Sequence, residues 1–61
     1  MRITFERACE IIYRYYKREN VLQIRKPDHK SFYIVDCVSG TFHLEKEDLI
    51  IMNYKNTRSV A

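Results

Sequence analysis

The stretch VLQIRKPDHKSFYIVDCVSGTFHL, residues 21–44, decides the fold. Apolar and β-branched side chains alternate with polar ones, the period of two expected of half-buried strands. Pro27, Asp28, His29 and Lys30 interrupt the alternation and form a turn that the fixed φ of proline suits. Ser39 and Gly40 form a second, tighter turn. Three strands result, over residues 21–26, 31–38 and 41–44. The turns set Ile24 opposite Tyr33 and Leu22 opposite Val35, then Cys37 opposite Phe42 and Val35 opposite Leu44. Leu22, Ile24, Tyr33, Val35, Cys37, Phe42 and Leu44 then share one apolar face, because side chains alternate along a strand.

Upstream, residues 5–19 change to helical period. Phe5, Ala8, Cys9, Ile12, Tyr15 and Tyr16 fall on one stripe, flanked by Ile11 and Tyr13, with Glu6, Arg7, Glu10, Arg14, Lys17 and Arg18 opposite. Thr4 is the expected N-cap, Glu6 suits the positive end of the helix dipole, and Asn20 is the expected left-handed stop. Downstream, residues 45–48 read as a charged turn and residues 49–54 as a fourth strand. A short helix over residues 45–53 competes with that strand, because the run Leu49 to Met52 fits either period. The expectation is an α+β fold: an N-terminal amphipathic helix packed on a small antiparallel β-meander of three to four strands. Residues 1–55 form the domain and residues 56–61 a flexible C-terminal tail.

Composition narrows the function. With 61 residues, of which 46% are hydrophobic and 31% charged, the chain is one small domain that is marginally stable alone. The apolar run Leu49 to Met52, which no other exceeds, is far short of the ~20 residues of a membrane span. Glu6, Glu10 and Arg14 break the apolar stretch that a signal peptide would need. A cytoplasmic protein is expected. Two cysteines, Cys9 and Cys37, are too few for a disulfide scaffold and read as buried thiols facing one another through the core. Residues 1–30 carry eight basic and four acidic side chains against three and four in residues 31–61, so an anionic partner would favour the N-terminal half.

The strand register also sets the opposite sheet face: Val21, Gln23, Arg25, Phe32, Ile34, Asp36, Val38, Thr41 and His43. A solvated antiparallel face is normally polar, yet Phe32, Ile34 and Val38 are neighbours on the middle strand. Contact with a protein partner or a second copy, through Arg25, Phe32, Ile34, Val38 and His43, is the leading reading. Cover by the fourth strand or the tail, and a slip at the wide turn, are its competitors. The alternative function is nucleic-acid binding, with Arg2, Arg7, Lys26 and Lys30 at one end of the molecule and Arg14, Lys17 and Arg18 at the other.

Chemistry finds less support. Asp36 and His43 are expected as cross-strand neighbours, but no reactive Ser or Cys shares their face, so an ordinary surface pair is the simpler reading. Cys9, Cys37, His29 and His43 lack the paired spacing of zinc ligands. The single glycine, Gly40, makes no phosphate loop. The expectation is a non-catalytic protein-docking module that takes no cofactor or small-molecule substrate. Regulators and inhibitors of compact genomes such as those of phages are of this size, by analogy only.

Overall fold

A computed structural model of the chain describes residues 3–58. Helix α1 spans Phe5–Tyr16, β1 Val21–Arg25, β2 Tyr33–Cys37, β3 Gly40–Leu44 and helix α2 Lys46–Arg58. The strands form one antiparallel sheet in the order β1-β2-β3. The α+β fold, with the N-terminal helix on an antiparallel meander, is as expected.

Helix α1 begins where Thr4 was expected to cap it: its Oγ1 accepts from the Arg7 amide at 3.1 Å. The helix stops three residues early. Lys17, not Asn20, takes the positive φ, at 73°, and Arg18–Asn20 make one tight turn into β1. Asn20 still helps to end the helix, because its Nδ2 donates to the Tyr16 carbonyl at 3.0 Å and satisfies an otherwise open acceptor.

Both hairpins differ from the expected register by two residues. Ile24 lies opposite Val35, and Val35 opposite Phe42. Val38 and Ser39 form the second turn, and Gly40 follows it as the first residue of β3 with φ 141°. Glycine is needed after the turn because that conformation is strained for a residue with a Cβ. A shift of two preserves the faces, so Tyr33, Val35, Cys37 and Leu44 are buried inward as expected. Phe42 keeps that face, stacked on Tyr16, but is 37% exposed, and Leu22 leaves the face altogether. The register is irregular between Val21 and Gln23, and this bulge packs Val21 against the core while leaving Leu22 68% exposed.

The expected fourth strand is helix α2, longer than the competing helix over residues 45–53. Asp48 accepts the Glu45 amide at 2.7 Å, while the Asp48 and Leu49 amides donate to the Glu45 carbonyl. Glu47 and Asp48 lie in the first turn, and Lys55 and Arg58 in the last, each complementing the helix dipole. Leu49, Met52 and Asn56 are buried at helical spacing. Asn56, Thr57 and Arg58, assigned to the tail, are therefore the end of this helix; residues 59–61 lie outside the described residues.

Ala8, Ile11, Ile12, the four inward strand residues, Leu49 and Met52 form one core. Helix α2 turns the buried stripe of α1 toward Ile11, so Phe5 and Tyr15, expected inside, are exposed. Phe5 stacks on Tyr33 with centroids 6.2 Å apart, and Tyr16 on Phe42 at 5.4 Å. These contacts run α1 along β2 and antiparallel to β1. The Asn56 amide donates to the Ile11 carbonyl at 3.2 Å, and among the described residues no buried side-chain polar atom lacks a partner.

Leu49→Ala removes a fully buried side chain and is expected to cost about 2–5 kcal/mol, whereas Leu22→Ala should change stability by no more than about 0.5 kcal/mol. Urea unfolding of the two variants measures the contrast.

Candidate functional site

The outer sheet face carries the first candidate surface. Ile34 sits on β2 directly between its cross-strand partners Arg25 and His43. Phe32, half-buried before the start of β2, lies 4.0 Å from the His43 ring between centroids, tilted by 32°. The patch is therefore Phe32 and Ile34 framed by Arg25 and His43. Val38 does not join it: the register shift moves this residue into the turn, where it is 64% exposed. The same shift separates Asp36 from His43. Asp36 instead receives Arg25 at 3.1 Å and the Thr41 hydroxyl at 2.9 Å, while His43 pairs with Glu45 at 3.1 Å. No triad geometry results, because the carboxylate and the imidazole have different partners.

The basic residues fall into two separate groups. Lys26, Lys30 and Ser31 from the β1–β2 connection meet Lys46 of α2 around an open cleft of about 270 Å³. Ile3, Tyr33 and Leu49 give the cleft an apolar lining. Lys26 is held in place, its Nζ donating to the Lys30 carbonyl at 3.0 Å. Lys46 was missed by the sequence reading because it stood in an expected turn; a helix starting there would have brought it to this end of the molecule. Arg7, expected beside Lys26 and Lys30, is committed elsewhere, to Glu10 at 3.0 Å and Asn53 at 3.2 Å. Arg2 lies outside the described residues. At the other end of α1, Arg14, Lys17 and Arg18 are exposed, and the Arg18 guanidinium lies 4.7 Å from the centre of the Tyr13 ring.

Helix α2 adds a third surface. Ile50, Ile51 and Tyr54 point away from the core and are 44%, 52% and 61% exposed. Reading residues 49–54 as a strand hid this surface, since alternation places Ile50 and Ile51 on opposite faces while a helix brings them to one side.

Cys9 and Cys37 are both free thiols; Cys37 is buried as expected, whereas Cys9 is only half-buried. Burial, and then the nearby Glu6 carboxylate, raises the Cys9 thiol pKa; burial, and then Asp36, raises that of Cys37. Both changes suppress the nucleophilic thiolate. Among the described residues, no three His, Cys, Asp or Glu side chains converge as a metal site, and no helix is long and apolar enough to cross a membrane.

Comparison with known protein families, with curated proteins and with solved structures finds no match to this chain.

Because folding raises both thiol pKa values, the native state holds these protons more tightly than the unfolded chain. Their contribution to stability is complete below the ordinary thiol value of 9.0 and is lost as pH rises through the folded values. Tyr16 and Tyr33, raised above 10.0 mainly by burial, extend the loss upward. Thermal melts should show a lower Tm at pH ~10 than at neutral pH, with a smaller drop in Cys37→Ala.

Proposed function

We propose that this protein is a small non-catalytic docking module that engages a protein partner through the outer face of its sheet. The observation that carries this reading is the position of α2. This segment was the main candidate to cover Phe32 and Ile34 from within the chain, yet its Leu49 and Met52 join the core on the inward face. Two half-buried apolar side chains, Phe32 and Ile34, thus stay at the centre of an outer face on which Arg25 and Thr41 both bind Asp36 and His43 binds Glu45. The partner that suits them offers an apolar anchor over Phe32 and Ile34, with acidic groups at the rim for a chain of net charge +3.

The test is a capture experiment in which Phe32→Ser with Ile34→Thr is compared with the parent and with Ile51→Arg on α2. Both variants should keep the parental helix content, since neither replaces a fully buried residue. A partner held by the parent and by Ile51→Arg, and weakened about tenfold or more by the sheet substitutions, is the expected outcome. Equal retention by all three proteins, or no retained partner, overturns the reading.

The cleft formed by Lys26, Lys30 and Lys46 favours a second reading, a nucleic-acid-binding protein that grips a single-stranded phosphate backbone at this end. Three phosphate contacts give a slope of about −2 for log affinity against log salt on a single strand. Titration of an oligonucleotide at several salt concentrations, with Lys26→Gln, Lys30→Gln and Lys46→Gln together as the control, checks it. A salt-independent signal, or one unchanged in the triple variant, removes this reading.

A further inference from the structure

The outward face of α2 has a pattern that neither docking through the sheet nor phosphate binding explains. At about 100° per residue, Glu47, Ile51, Tyr54 and Arg58 fall within one narrow stripe, and Ile50 borders it. All five are exposed. The stripe is charge-polarised, with the carboxylate in the first turn and the guanidinium in the last. It is also symmetric in position: Ile51 and Tyr54 flank its midpoint, and Glu47 and Arg58 stand at equal distances beyond them. Neither Glu47 nor Arg58 takes part in an ion pair among the described residues; the Arg58 guanidinium reaches the Tyr54 hydroxyl at 3.4 Å and lies 5.7 Å from the centre of the Tyr54 ring, a contact with its own stripe that leaves its charge unpaired.

We infer that this stripe is the contact for a second copy of the chain, with the two α2 helices antiparallel about a twofold axis between Ile51 and Tyr54. In that arrangement Ile51 of each protomer packs on the partner's Tyr54, and Glu47 of each meets the partner's Arg58. A twofold contact uses the same patch on both subunits, so a self-complementary stripe is what it requires. The antiparallel sense follows from the charges. Parallel helices would set Glu47 against Glu47 and Arg58 against Arg58, and their dipoles would repel, whereas antiparallel helices pair opposite charges and opposite helix ends. One stripe on a helix of 13 residues is small beside the roughly 1,200–2,000 Å² of stable interfaces, so the association is concentration-dependent and weak. Phe32 and Ile34 are not part of this contact.

Sedimentation equilibrium over a wide concentration range, with helix content followed by circular dichroism, tests the pairing. The parent should pass from monomer to dimer. Ile51→Arg, at an exposed position that leaves the core intact, should weaken dimerisation about tenfold or more. Glu47→Arg alone and Arg58→Glu alone should each weaken it several-fold, and the double reversal should restore affinity to within about threefold of the parent. A parent that stays monomeric throughout overturns the inference. So does a dimer indifferent to Ile51→Arg, a double reversal without rescue, or a dimer abolished by Phe32→Ser with Ile34→Thr while Ile51→Arg retains it.

Discussion

The structure depends on the two-sided burial of α1. Ala8 and Ile12 have no exposed surface and Ile11 almost none, so this helix has to be covered on more than one flank. The sheet supplies one cover through Tyr33, Val35, Cys37 and Leu44, and α2 supplies the other through Leu49 and Met52. A fourth strand at the edge of the sheet would have widened the first cover and left Ile11 without the second. In a chain of 61 residues the difference matters, because little other apolar surface is available to be buried. The Asn56 amide completes this packing, donating to the Ile11 carbonyl where the two helices meet.

Placing α2 beside α1 also organises the surface. Among the described residues it leaves the outer sheet face uncovered, and it delivers Lys46 to the cleft of Lys26 and Lys30 and turns Ile51 and Tyr54 toward solvent. The apolar sheet face, the basic cleft and the polarised stripe on α2 therefore share one origin. They differ in chemistry, since the first is apolar within a frame of paired charges, the second carries three lysines on an apolar lining, and the third is apolar with opposite charges at its ends.

Much of the sheet was legible in the residues. Side chains alternate with a period of two, so Tyr33, Val35, Cys37 and Leu44 could be assigned to one face even though both hairpin registers were displaced by two. Neighbours were less legible, because cross-strand partners depend on which residue of each turn closes the loop. Gly40 serves after the turn rather than within it, and that single displacement separates Asp36 from His43 and removes Val38 from the outer face. The bulge at Leu22 left no signal in the alternation, which Val21, Leu22 and Ile24 satisfy about equally in either setting. On the surface, the shared outer face of Arg25, Phe32, Ile34 and His43 was legible in the sequence, while the position of Lys46 and the stripe on α2 were not.

Local physics in the sequence determined the capped amphipathic helix, the antiparallel meander and the inward face of β2. Each of these follows from spacing, turn chemistry or charge within a few neighbouring residues. Only the tertiary structure decided whether Leu49 to Met52 would be strand or helix. That run of four apolar residues satisfies both periods, and the choice rests on the open flank of α1, more than thirty residues earlier in the chain, which a helix can cover and a strand cannot.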